Sequence, residues 1–304
     1  MTIPTDPAEQ NPTSGVFWMI VAGLNFVAVI AIVKYVGREV PAAQSAFLRY
    51  ALGLVLVIPM IRPMLRAGVS RSDRNLFCLR GGAHALGVVC WFYAMTQISI
   101  AEVTAMNYLS PVYVTLGAAV FLGETLAIRR LTAAAAALIG ALIVLRPGFR
   151  ELSLGHFAMI FTAVFFAASY LIAKRMADRF SATVVVAWLS LTVTVGLAPL
   201  AFMVWEPVSI RNLFWLFAVA VFATAGHYTM TLAFRAAPVS ATQPAAFLQL
   251  IWSALLGAAF FSEPVDAWVM LGGAVIVGAV SFIAWREAQL RRRAAMPSHP
   301  PADS

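Results

Sequence analysis

A chain of 304 residues that is 62% hydrophobic and 11% charged cannot cover itself with polar surface, because a soluble domain carries roughly 25% charged residues. The formal net charge of +8 has no soluble face to sit on, which excludes a nucleic-acid-binding reading. The solvent around most of this chain is lipid.

The first 13 residues hold Asp6 and Glu9 and no Lys or Arg, so they lack the basic region of a cleavable signal, and the first apolar segment is expected to be retained. Ten apolar segments follow, at 14–34, 45–61, 76–97, 102–122, 128–146, 155–173, 183–204, 212–234, 242–261 and 267–285. Each is near the roughly 20 residues that a helix needs to span a bilayer. None alternates with the two-residue period of a barrel strand. The expected fold is an all-α polytopic membrane protein with ten transmembrane helices.

The segments form two copies of one unit. At an offset of 140, Gly15, Phe17, Met19, Ile20, Phe26, Ala28, Ile32 and Lys34 recur as Gly155, Phe157, Met159, Ile160, Phe166, Ala168, Ile172 and Lys174. At an offset of 139, Gly87, Ala94, Leu109, Ala119, Phe121 and Glu124 recur as Gly226, Ala233, Leu248, Ala258, Phe260 and Glu263. Five crossings per copy place the second copy upside down, the inverted-repeat architecture of alternating-access transporters. The expected organisation is a cytoplasmic tail at 1–13, a first repeat at 14–148, a second, inverted repeat at 149–286 and a basic cytoplasmic tail at 287–304. That last tail, with Arg291 to Arg293, is expected to rest on anionic head groups or to be disordered.

With the N-terminus inside, fourteen Lys and Arg fall on the inner side and five on the outer side, which places both termini in the cytoplasm. Cys78 and Cys90 lie twelve residues apart in the third segment, too far for a bridge, and no pattern for a metal or cofactor is present. No acid lies in the middle of a segment; Glu102, Glu124 and Glu263 come nearest. A proton-coupled exporter of organic cations needs a carboxylate at mid-membrane, so that chemistry is disfavoured.

The polar side chains inside the segments form stripes. Asn25 sits at the centre of the first segment, with Ser169 and Tyr170 on its repeat mate, the sixth. Arg49 lies about one turn inside the second and either snorkels outward or meets an anionic group of a substrate. The third aligns Arg80, His84, Gly87 and Trp91, with Arg80 expected to snorkel toward the inner surface. On the fourth, Thr104, Asn107, Tyr108, Pro111 and Thr115 share a face, and Pro111 frees the carbonyl of Asn107 to form a hinge or part of a site. The eighth groups Thr224, His227, Tyr228 and Thr231, and the ninth Thr242, Gln249, Trp252 and Ser253. Pro244 near the start of the ninth costs little.

An unpaired amide in hydrocarbon costs several kcal/mol, so these groups are expected to face one another or water in one aromatic-lined cavity near the midplane. The plainer reading stands beside it. Ser and Thr also bond the carbonyl one turn back, Asn and Gln also bridge helices without a ligand, and the histidines are either proton carriers or neutral core groups. The small residues Gly140, Gly272, Gly273 and Gly278 make the fifth and tenth segments packing elements that permit a homodimer.

Phe47-Leu48-Arg49-Tyr50 opening the second segment, Leu79-Arg80-Gly81 in the third, and Gly123-Glu124 and Ser262-Glu263 ending the fourth and ninth resemble the drug/metabolite transporter superfamily, EamA type. The resemblance covers about 15–285. It implies a cavity lined by segments one to four and six to nine, with five and ten as supports. Its pattern is most similar to the bacterial branch of riboflavin and S-adenosylmethionine carriers. The resulting expectation is an inner-membrane secondary transporter of a small polar metabolite, with riboflavin uptake as the first substrate reading. Export of amino acids or related metabolites, S-adenosylmethionine carriage, and a structural or receptor-like membrane protein are the alternatives. Clustered acids, a metal set or a nucleophile–base pair inside the bilayer would mark an enzyme, and the sequence offers none.

Overall fold

The computed structural model describes residues 12–37, 39–122, 128–149, 151–177, 179–236 and 239–295. Pro111, Thr115, Lys174, Thr231, Thr242 and Pro244 are among the helical positions whose side chains lie outside that description. The described secondary structure is helical: α1 (Pro12–Val36), α2 (Ala42–Gly53), α3 (Ile58–Arg66), α4 (Arg71–Gln97), α5 (Ile100–Asn107), α6 (Leu109–Leu122), α7 (Ile128–Leu145), α8 (Leu154–Ala177), α9 (Ala182–Met203), α10 (Ile210–Ala236), α11 (Val239–Phe261) and α12 (Ala267–Ala295).

Six helical stretches are long and apolar enough to cross a membrane, with shorter apolar helices at Leu131–Leu145, Leu248–Phe261 and Ala267–Phe282. Large apolar side chains such as Val195, Phe202 and Phe214 are exposed along them, as lipid-facing groups must be. The chain is an all-α polytopic membrane protein. Two crossings are built in pieces. A 3₁₀ turn at Leu54–Val57 joins α2 to α3, just ahead of Pro59 at the start of α3. The fourth crossing breaks at Tyr108, three residues before Pro111, whose missing N–H leaves the Asn107 carbonyl without its helical donor. Local chemistry starts these helices: Ser99 and Glu102 form a reciprocal capping box on α5, and the Ser70 hydroxyl caps α4 at the Asp73 N–H.

Helix packing obeys a pseudo-two-fold rule. α1 lies along α10, and their repeat mates, α8 and α4, lie along each other. α1 meets α11 as α8 meets α5 and α6, and α4 meets α9 as α10 meets α2. On the axis, mates pair directly: α2 with α9, α5 with α11, α7 with α12. The close contacts repeat too. A Cβ on Gly87 would lie 2.6 Å from the Phe166 ring, and one on the mate Gly226 would lie 3.2 Å from the ring of Phe26, mate of Phe166. A two-fold operation that exchanges five-crossing copies inverts one of them, so its axis lies in the membrane plane.

The joins at the two ends obey the same rule with exchanged charges. Glu39, after α1, accepts hydrogen bonds from Arg211 Nη2 (2.7 Å) and Asn212 Nδ2 (2.9 Å) at the start of α10. Positions 39 and 212 map onto Arg179 and Asp73, which form an ion pair at the opposite end of the bundle. The Asn212 bond first, then Arg211, holds the Glu39 carboxyl below its ordinary value of 4.5.

The structure adds detail at two places. α12 continues through Arg291 to Arg293 as helix to Ala295, because Glu287–Ala295 is rich in strong helix formers and no Pro occurs before Pro297. The small residues of the fifth and tenth segments meet each other within the chain: a Cβ on Gly140 would lie 2.7 Å from the Gly272 carbonyl oxygen. Those two glycines set the α7–α12 approach and are not free for a second copy.

Candidate functional site

The repeat-related phenylalanines each hold a histidine toward the interior. Phe166 on α8 stacks on His84 of α4 (ring centroids 4.8 Å), and Phe26 on α1 meets His227 of α10 edge-to-face (5.1 Å). The histidines are not themselves mates, since the position equivalent to His227 is Val88, one turn along α4 from His84. His84 is buried and hydrogen-bonded at both ring nitrogens, Nε2 with the Tyr50 hydroxyl (3.1 Å) and Nδ1 with Ser169 (3.3 Å). His227 occupies the packed face of α10, seven residues after Ala220 and four after Ala223, which are buried, yet its ring is exposed. It therefore borders an opening within the bundle rather than lipid.

Arg49 lies half-buried on α2 with its guanidinium 4.1 Å from the centre of the Tyr50 ring. Arg49 and Tyr50 are neighbours on α2, and the Tyr50 hydroxyl reaches His84, which joins this arginine to the Phe166–His84 pair. Arg80 departs from expectation. It does not snorkel; it is buried, and its Nη1 donates to the Val185 carbonyl of α9 (3.1 Å). The carbonyl replaces part of the hydration that snorkelling would have kept, while Nε is buried without a partner. Among the described residues neither arginine pairs with a carboxylate.

The remaining predicted residues divide into three groups. Ser169 and Tyr170 join the His84 cluster, Tyr170 with its ring 6.1 Å from that of Phe166. Trp91 packs edge-to-face on Phe166 (6.2 Å), and its Nε1 is buried without a partner, as is Asn107 Oδ1 at the break in the fourth crossing. A second group bonds within the protein. Tyr108 donates to Gln249 Oε1 across the copies (3.3 Å), and the Asn25 amide donates to the Val21 carbonyl of its own helix (2.8 Å). Thr104 and Ser253, from the same stripes, share a buried hydrogen bond of 2.7 Å between α5 and α11. In the third group, Tyr228 lies on the exposed arc of α10 with Phe214 and Val221, and Trp252 on that of α11 beside Leu255. The Pro111 side chain lies outside the described residues.

Phe26, Phe166 and Tyr50 are the site residues that the polar stripes missed. Both phenylalanines are repeat identities in the sequence, and Tyr50 stands beside Arg49.

Each Phe–His pair joins one copy to the other, and Arg49 has no carboxylate partner among the described residues; aromatic and charged groups of this kind suit planar, polar small molecules. The EamA-like transporter family matches the chain twice, over residues 13–146 and 153–285. The chain belongs to the EamA-like transporter family. Its relatives include the pseudopaline exporter of Pseudomonas aeruginosa, 30% identical over 272 residues covering 87% of this chain and 93% of that protein. The riboflavin transporter of Vibrio cholerae is 26% identical over 94% of this chain and 97% of its own length. The S-adenosylmethionine uptake transporter of Rickettsia felis is 22% identical over the same shares. A solved crystal structure covering 93% of this chain and 99% of its own superposes with a TM-score of 0.57 at 19% identity, a likeness of fold. This EamA-like protein is thus a membrane transporter whose relatives carry several different small molecules.

Proposed function

We propose that this chain is a secondary transporter of the bacterial inner membrane, with both termini cytoplasmic. It holds one small polar metabolite between the two Phe–His pairs and exposes it alternately to each side. The observation that supports the reading is the pair of ring contacts Phe166–His84 and Phe26–His227, each of which joins one copy to the other. A small molecule lying there contacts side chains of both copies and loses those contacts as the copies rock apart.

Riboflavin uptake is the first substrate reading. Its flat ring suits the aromatic faces, and its carbonyls and N–H match the unpartnered Trp91 Nε1 donor and Asn107 Oδ1 acceptor. Its relatives include two riboflavin transporters, 26% and 28% identical over most of the chain. Export of an amino acid or a related carboxylate-bearing metabolite is the second reading, favoured by Arg49, whose charge has no acidic partner among the described residues. The same charge opposes the sulfonium of S-adenosylmethionine but would meet its carboxylate, so Arg49 does not separate that substrate from the second reading. Any homodimer would use the outward faces of α7 and α12, where Ile139, Leu142 and Leu271 are exposed.

The test is growth of a riboflavin-requiring bacterium at low external vitamin, with the chain expressed and its insertion verified. Rescue that disappears with Phe166→Leu supports the flavin reading. Absence of rescue, together with efflux of carboxylate-bearing metabolites that Arg49→Gln abolishes, replaces it with the second. If neither flux depends on Phe166 or Arg49, the placement of the site is wrong.

A further inference from the structure

The fourth crossing breaks at Tyr108, and its repeat mate does not break. α5 ends at Asn107, Tyr108 caps it in a right-handed conformation, and α6 begins at Leu109. The matching crossing of the second copy, α11, is continuous from Val239 to Phe261. Pro111 maps onto Leu250, which has the backbone N–H that proline lacks. The break therefore belongs to the first copy alone and is not inherited from the shared repeat.

Oxygen atoms collect at this break without donors. The Asn107 carbonyl has lost its helical donor. Asn107 Oδ1 and Ser110 Oγ are both buried with no hydrogen-bond partner among the described residues. Ser110 is 4% exposed, so bulk water does not serve it. Thr104, Thr162 and Thr194 each bond the carbonyl four residues back along their helices, and Ser110 does not. Residues 107 and 110 are three apart, which places them on one face of the turn. The C-terminal end of α5 adds the negative end of its dipole. Buried atoms of this kind are rare in native structures, and an ion is one of the groups that satisfies them.

All these oxygens are neutral. None titrates near neutrality, so the set does not suit a proton. Nor does it suit a divalent metal, which draws on carboxylates or imidazoles to offset its charge; no cluster of His, Cys, Asp or Glu among the described residues could hold one. Unwound carbonyls and helix C-terminal ends are the groups that hold sodium in transporters built with broken helices. We propose that the break in the fourth crossing binds a sodium ion through Asn107 Oδ1, the Asn107 carbonyl oxygen and Ser110 Oγ, and that this ion couples transport to the sodium gradient. The coupling rests on the secondary-transport reading and adds its driving ion. Oxygens drawn from a single turn make a small cage, which suits sodium over potassium. The Asn107 amide oxygen has two lone pairs, so it can hold the ion and accept from the substrate together. Binding of either then favours binding of the other, which is the link that coupling needs. The arginines stand apart from the break. α2, which carries Arg49, and α9, which accepts from Arg80, pack on each other, whereas α5 and α6 pack mainly on α7, α8, α11 and α12.

The test is thermal unfolding of the purified full-length chain in detergent, without substrate, in sodium, potassium or choline chloride at equal concentration. Sodium raises the melting temperature by several degrees and saturates, and potassium and choline do not. Ser110→Ala abolishes the sodium shift yet melts no lower than the parent in choline, because it removes an unpaired hydroxyl. Pro111→Ala returns an N–H to the Asn107 carbonyl and weakens the shift. The same shift in all three salts (an adventitious ion only), no shift in any, or a sodium shift that survives Ser110→Ala overturns the site. In proteoliposomes an inward sodium gradient drives riboflavin accumulation in the parent and not in Ser110→Ala. Accumulation that proceeds equally in choline overturns the coupling. A sodium shift lost in Ser110→Ala, with no riboflavin flux under any gradient, supports the ion site and counts against the riboflavin reading instead.

Discussion

The contact between Gly87 and Phe166 tests whether the site is held by backbone approach. A methyl group at Gly87 would meet Phe166 Cδ1 and Cε1 at 2.6 and 2.8 Å, and Phe165 Cβ at 3.2 Å. Carbon atoms settle at about 3.5–4.0 Å, so the ring must retreat by about 1 Å. Its far face is occupied by His84, which is itself tied to Tyr50 and Ser169, so the displacement passes into the site. Overpacking of this kind costs about 1–3 kcal/mol. The mate position provides an internal control. A methyl on Gly226 would lie 3.2 Å from the Phe26 ring, a few tenths of an ångström too close, and should cost less than about 1 kcal/mol. Thermal unfolding of the purified variants in detergent should show Gly87→Ala melting several degrees below Gly226→Ala, with substrate affinity weakened in the first and nearly unchanged in the second. Phe166→Leu in the Gly87→Ala background should recover melting but not affinity. Equal loss at both glycines, or none at Gly87, would refute the claim that Phe166 is held between the α4 backbone and His84.

Arg49→Lys keeps the charge but gives up the planar face on Tyr50; if Arg49 grips a carboxylate, binding should fall by about tenfold, and Arg49→Gln should lower it further, as read by isothermal titration. Thr104→Val strands the hydroxyl of Ser253, which is fully buried, and should cost about 1–2 kcal/mol in melting assays. Thr104→Val/Ser253→Ala should cost less than the single change, and the cycle yields the coupling. Glu39 has its folded pKa depressed, so its contribution to stability is complete above 4.5 and is lost as pH falls below that value through the folded pKa. Melting temperature should therefore be flat down to that pH and then decline, and Asn212→Ala should shallow the decline.

The sequence alone determined the class of this protein and its symmetry. Composition forced a lipid solvent, segment length forced helices, and constant offsets with an odd number of crossings forced inversion, because each follows from properties that survive without coordinates. It also supplied Arg49, His84, Trp91, Asn107 and His227 as polar groups too costly to bury without purpose. Tertiary structure decided which of them meet. Stripe positions on one helix cannot say which neighbour a face will find, so Tyr228 and Trp252 shared stripes with His227 and Gln249 yet lie on exposed arcs, while Thr104 and Ser253 bond only to protein. The repeat marks Phe26 and Phe166, and Tyr50 adjoins Arg49, but only packing shows that their rings meet His227 and His84, since a ring in a hydrophobic segment carries no local signal of its partner.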